Sequence, residues 1–117
     1  MPETSLMQKV CRACEGWEKP LSEDVAQKLL TQVPGWEITD GKVHRIFTFK
    51  DFKEAMVFVN KVAELAEREG HHPDFTIWWN KVTLDLITHA IHGLSENDFI
   101  VAAKTNAILE EMGIASR

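Results

Sequence analysis

Nowhere in this sequence do apolar residues run on for the ~18 positions that a membrane span needs. The opening segment, MPETSLMQKVCRACEGWEKP, also lacks the apolar middle of a secretory signal, so a soluble cytoplasmic protein is the expectation. Positive charge is scarce: 13 Lys and Arg stand against 18 Asp and Glu, a formal net charge of −5. That deficit argues against sequence-independent nucleic-acid binding, which rests on neutralising phosphates. Cysteine is nearly absent. Cys11 and Cys14 make a lone CxxC, whereas a structural zinc site wants four ligands, and neither a second Cys pair nor an HxxxH follows at finger spacing. A thioredoxin-like motif would follow a buried strand and open a helix, which this polar segment does not do. Two free thiols in a mobile tail is the expectation, with a metal shared with His44 or another subunit as the alternative. Internal repeats and low-complexity stretches are missing as well.

What is present fits one ordinary globular domain. The chain has 117 residues, 44% hydrophobic and 26% charged. A domain of this size buries roughly two-thirds of its unfolded surface, so neither disulfides nor a metal is needed for stability. Residues 1–20 look like a tail or loosely docked N-terminal arm, and residues 21–117 like a single domain.

Ser22, followed by Glu23 and Asp24, caps a first helix whose apolar residues run from Val25 to Val33, before Pro34-Gly35 ends it. Trp36 to Thr39 and Lys42 to Phe49 read as a hairpin about Asp40-Gly41. Val43, Arg45, Phe47 and Phe49 share one of its faces. Asp51, with Glu54 three residues on, opens a second helix in a capping-box-like arrangement. Its apolar stripe includes Phe52, Met56, Val59 and Val62, and Gly70 serves as its C′ residue. Phe75 to Trp79 and Val82 to His89 form a second strand pair turning at Asn80-Lys81. Ser95 and Asp98 then cap a last helix reaching about Met112, ended by Gly113. The order α-β-β-α-β-β-α predicts an α+β domain: a four-stranded antiparallel sheet with three helices packed on one face. Apolar edge strands invite pairing with a second copy, so a homo-oligomer is expected.

The stretch EGHHPDF carries two of the five histidines. Gly70 places His71 and His72 just beyond a helix C-terminus, and Pro73 pushes His72 toward an extended conformation. If the third strand leads away from this corner and the fourth returns beside it, His89 comes back to the same end of the sheet. Asp98, in the first turn of the last helix, would lie close by. Neutral imidazoles suit proton transfer near neutral pH, and three of them can also bind zinc with a fourth position open. Spacing alone leaves three readings open: surface histidines with no task, a proton-transfer site, or a metal site.

The run EGHHPDFTIWWNKVTLDLITHAIHGLSENDF resembles the signature of the pterin-4a-carbinolamine dehydratases. In that family a His-His-Pro is followed by an aromatic-rich hairpin ending in Thr-His, then Gly-Leu-Ser and an Asp. His71, His72, Pro73, Trp79, Asn80, Lys81, Val82, Thr88, His89, Gly93, Leu94, Ser95 and Asp98 match in order and spacing, and the likeness spans Leu21 to Met112. Gly70 stands where many members carry an acidic residue, and Phe75 where the aromatic is often Trp. Neither change touches the three histidines.

The resemblance implies a lyase that dehydrates 4a-hydroxytetrahydropterin to the quinonoid dihydropterin, recycling the pterin of aromatic amino acid hydroxylases. It implies no metal and no redox cofactor. Its substrate is a small-molecule pterin, and it is expected to assemble as a dimer or tetramer. His71, His72 and His89 are its expected catalytic histidines, with His71 and His89 as the proton-transfer pair and His72 holding the pterin. Glu67, Pro73, Asp74, Phe75, Trp79, Thr88 and Asp98 are the expected substrate-binding residues. Two other readings stay open: an interaction or dimerisation module of the same fold without catalysis, and a histidine-cluster metal-binding protein.

Overall fold

The computed structural model describes residues 5–13, 16 and 18–114. Two strand pairs meet side by side to make one sheet. The first pair is β1 (Glu37–Thr39) and β2 (Lys42–Thr48), and the second is β3 (Asp74–Trp78) and β4 (Lys81–Leu86). The order across the sheet is β1-β2-β4-β3, antiparallel throughout. The central β2–β4 pairing sets Val43 opposite Leu86 and Phe47 opposite Val82. With Leu84, these side chains are 0% exposed, so one face of the sheet is core.

Three helices cover that face: α1 (Glu23–Leu30), α2 (Phe52–Glu69) and α3 (Glu96–Glu111). Phe58 of α2 drops onto the sheet, its ring centroid 4.7 Å from Phe47 and 5.0 Å from Phe49. Such tilted aromatic pairs add to the stabilisation from apolar burial. In α3, Phe99, Ile100, Val101 and Ala102 are consecutive and all buried. The first half of α3 is enclosed and needs no polar face there, so its apolar residues follow no stripe.

The helix ends follow the sequence closely. The Asp51 carboxylate accepts from the Glu54 N–H at 2.8 Å, while the Glu54 side chain accepts from the Lys50 N–H at 3.0 Å. Ser95 and Asp98 form a full capping box at the start of α3.

The structure corrects three local expectations. The first regular helix stops at Leu30, and the chain continues through tighter i→i+3 bonds from Gln32 and Val33 before Pro34. The turn between β3 and β4 is Trp79-Asn80, because Trp78 pairs with Lys81 and Trp79 takes a left-handed φ of 50°. Asn80 holds this turn by donating to the Phe49 carbonyl at 2.8 Å. Strand β4 ends at Leu86, since Thr88 leaves the sheet to bridge Gly93, and His89–Ile91 then form a 3-10 turn. Of the two readings of the N-terminal arm, tail or loosely docked, residues 5–13 take the docked one. Its 3-10 turn at Leu6–Gln8 buries Leu6 in the core at 3% exposure.

Phe58→Ala removes the ring joining α2 to both halves of the Phe47–Phe49 strand end. It is expected to cost about 3–5 kcal/mol of stability, measured by urea denaturation. A loss below 1 kcal/mol would contradict this placement of the core.

Candidate active site

Gly70 decides where the paired histidines begin. It closes α2 with φ 67°, a conformation that costs glycine little. Its N–H bonds to the Ala66 carbonyl at 2.9 Å, and the His71 N–H reaches the same oxygen at 3.3 Å. The backbone of His71 is thus pinned to the last turn of α2, and its ring projects toward the first turn of α3.

There it meets Asp98, which has no exposure to solvent. His71 Nε2 lies 2.6 Å from Asp98 Oδ1. The second carboxylate oxygen accepts from the Thr88 hydroxyl and from the Ser95 N–H, each at 2.9 Å. The Thr88 hydroxyl is also 2.7 Å from the Ser95 hydroxyl. A buried carboxylate persists only when its oxygens are met by donors, and here three segments supply them. The same Asp98 completes the capping box, so helix initiation and histidine orientation share one group.

His72 has a separate partner, its Nε2 2.5 Å from Glu67 Oε2. Both side chains are exposed, and solvent leaves such a pair little stabilising value. His89 arrives on the 3-10 turn after Thr88, whose N–H donates to the Gly93 carbonyl at 2.9 Å. Gly93 is required by close approach: a Cβ there would stand 2.6 Å from Pro20 Cβ.

His71, His72, Thr88 and His89 wall one open cavity of about 280 Å³, and Arg12 and Ala13 of the N-terminal segment close another side. This volume sits at the small end of ligand pockets, roughly 300–1,000 Å³, and suits a compact ring system. A larger groove of about 600 Å³ lies between the N-terminal segment and α1, but no histidine lines it. Lys9 within it is already paired with Glu96 at 3.0 Å.

The other expected ligand-binding residues distribute unevenly. Asp98 stands behind His71, and Glu67 beside His72. Pro73 is buried, Phe75 packs against the core, and Asp74 faces Asp85 across the sheet. Trp79 lies at the opposite end of β3, about 17 Å from the histidine corner at ~3.3 Å per strand residue. His44 is also apart, paired with Asp85 at 2.6 Å on the outer sheet face. Among the described residues, no three or more His, Cys, Asp or Glu side chains gather closely enough to hold a metal ion.

Sequence reasoning missed the side chains that hold the N-terminal segment in place. Glu69 accepts from the Cys11 N–H at 2.9 Å and from Lys104 at 2.8 Å. Burial alone would raise the Glu69 carboxyl, but these donors outweigh it and hold it below its ordinary value. Asn97 brackets Arg12, accepting from its N–H at 3.1 Å and donating to its carbonyl at 2.6 Å. Cys11 is partly buried, and desolvation followed by the Glu69 charge pushes its thiol up to about 12. It therefore stays protonated and is a poor nucleophile or metal ligand. This replaces the mobile-tail expectation for Cys11, while Cys14 lies outside the described residues. The segment has no hydrophobic period, so no pattern in the sequence announced its docking.

The chain matches the family model described as "Pterin 4 alpha carbinolamine dehydratase" over residues 19–108. A protein of Methylococcus capsulatus, provisionally named a pterin-4-alpha-carbinolamine dehydratase, is 47% identical over 113 residues, covering 95% of this chain and 99% of that one. A protein of Nitrosospira multiformis with the same provisional name is 44% identical, covering 90% and 93%. The crystal structure of a "transcriptional coactivator/pterin dehydratase" from Brucella melitensis superposes with a TM-score of 0.73 at 37% identity, covering 77% of this chain and 98% of that one. Its likeness agrees with the sheet and three helices described above.

Asp98→Ala leaves the Thr88 hydroxyl and the Ser95 N–H without their buried acceptor. The expected loss of stability is about 1–3 kcal/mol per stranded group, read by urea denaturation. Thr88→Val removes a single donor and should cost less. Equal stability of Asp98→Ala and wild type would disprove the network.

Proposed function

The chain belongs to the pterin 4 alpha carbinolamine dehydratase family, and on that footing we propose that it is a hydro-lyase acting on a 4a-hydroxytetrahydropterin. One observation carries the proposal. His71, held at 2.6 Å by a buried carboxylate, shares a small cavity with His89.

The reaction breaks the C4a–O bond and the N5–H bond and forms the C4a=N5 double bond of the quinonoid dihydropterin, releasing water. One group must protonate the departing hydroxyl while another takes the N5 proton. Asp98 Oδ2 already accepts two donors, and in this reading Oδ1 accepts the Nε2 proton of His71. That fixes the tautomer and leaves the lone pair of Nδ1 as the basic position. We assign His71 as the base for the N5 proton and His89 as the acid for the hydroxyl. His72, beside Glu67, holds the ring at the pocket edge. Catalysis of this kind needs no group beyond the histidines, each proton transfer contributing typically ~10²–10⁴-fold. In this reading the quinonoid product re-enters the cofactor cycle of aromatic amino acid hydroxylases only after a separate two-electron reduction to the tetrahydropterin.

A chemically generated 4a-hydroxytetrahydropterin, followed by ultraviolet absorbance, tests the assignment. Wild type should accelerate its decay without added metal, and His71→Ala and His89→Ala should each lower kcat by about 10²–10⁴-fold. Unchanged rates in both variants would sink the histidine assignment, and an inert wild type would sink the function.

The expected self-association also belongs to this proposal. β3 is an edge strand, and Ile77, Trp78 and Trp79 at its end are 41%, 79% and 62% exposed. Light scattering on the eluted protein should give a dimer or tetramer, and a monomeric mass would refute it.

A further inference from the structure

The N-terminal segment reaches the histidine pocket from outside the sheet-and-helix domain, and it is fastened where the pocket is built. Leu6 anchors one end in the core. Leu21 anchors the other, its N–H donating to the Leu94 carbonyl at 2.8 Å. Between them, Cys11 is held by Glu69, two residues before His71, and Arg12 by Asn97, next to Asp98. The Asn97 amide makes both bonds that a neighbouring strand would make to Arg12, and Asn97 is itself buried at 5% exposure. The Arg12 guanidinium forks onto Glu18 at 3.0 and 2.9 Å. Arg12 and Ala13 thereby line the same cavity as the three histidines.

We propose that this arm is the outer wall of the pterin site and that Asn97 is its positioning residue. The inference rests on the pterin reading of the pocket and adds to it a part for the arm. The two latches grip the arm backbone, while His71 and Asp98 are tied to each other independently of it. Loosening the arm opens one side of the cavity and leaves the proton-transfer pair in place. Binding that is equal for substrate and transition state shows in KM and not in kcat, so the arm's contribution belongs in KM.

The test uses the full-length chain, with Asn97→Ala acting from the helix side and Arg12→Pro from the arm side. Arg12→Pro deletes the N–H given to Asn97 without touching the core, so it reports even where Asn97→Ala folds poorly. Each variant should raise KM about tenfold, the scale of one or two lost hydrogen bonds, with kcat and thermal midpoint near wild type. Trypsin supplies a second readout, because the Arg12–Ala13 bond is a cleavage site. Dihydrobiopterin should slow its cleavage in wild type, and Asn97→Ala should be cut faster, while Arg12→Pro removes the cleavage site and is read through KM.

Faster cleavage with unchanged KM would overturn the arm's role, as would parallel losses of kcat, KM and thermal midpoint. A wild type that turns nothing over, yet is protected by dihydrobiopterin, would overturn the dehydratase reading and leave the arm as a pterin-site wall. Absence of protection in an active wild type would overturn the wall alone.

Discussion

A carboxylate stripped of water must be surrounded by donors or give up its charge, and the folding of this chain is organised around one such group. Asp98 collects the Ser95 N–H from its own helix start, the Thr88 hydroxyl from the end of the sheet, and the His71 ring from the end of α2. Three connections that hydrophobic packing alone would leave free to shift are thereby set against one another. This explains why β4 stops at Leu86. Thr88 turns inward to reach Asp98, and in doing so it throws His89 onto the surface of the pocket. Local structure, burial and the placement of two histidines follow from the same pair of oxygens.

Much of this was legible in the sequence because it depends on short-range rules. Ser22, Asp51 and Ser95 announced their helices through side-chain caps, and Gly70 ended α2 in the left-handed conformation that a C′ glycine takes. Asp40-Gly41 fixed the first hairpin. The core face of β2 was readable from alternation, since Val43 and Phe47 are both fully buried. The meeting of His71, His72 and His89 at one corner followed from antiparallel geometry. What the residues could not rank was surface histidines against a working site, because that depends on the buried partner behind His71.

The illegible parts are those in which long-range contact overrides local preference. Trp79 gave no local sign of accepting a positive φ, yet the Trp78–Lys81 pairing and the Asn80 bond to Phe49 require it. The N-terminal segment reads as a tail because its residues are polar and aperiodic. It is ordered by partners 58 and 85 positions away, namely Glu69 for Cys11 and Asn97 for Arg12. Trp79 also depends on where its strand leads. It matches a family pattern at the right spacing, but a strand carries it away from the corner where that pattern begins.

The arm and the histidine pair illustrate two ways of holding a site, and the difference lies in what each bond fastens. Asp98 holds a ring, fixing the orientation of His71. Asn97 and Glu69 grip backbone, fixing the course of Cys11 and Arg12. The residues doing these two jobs are neighbours in sequence: Asn97 precedes Asp98, and Glu69 precedes the Gly70-His71 corner. At each helix end one residue belongs to the His71–Asp98 pair and another, one or two positions earlier, grips the N-terminal backbone. A helix end suits this division, because successive side chains there leave in different directions while the backbone is held by capping bonds. The site therefore gains orientation and closure from the same two helix termini, α2 at its end and α3 at its beginning.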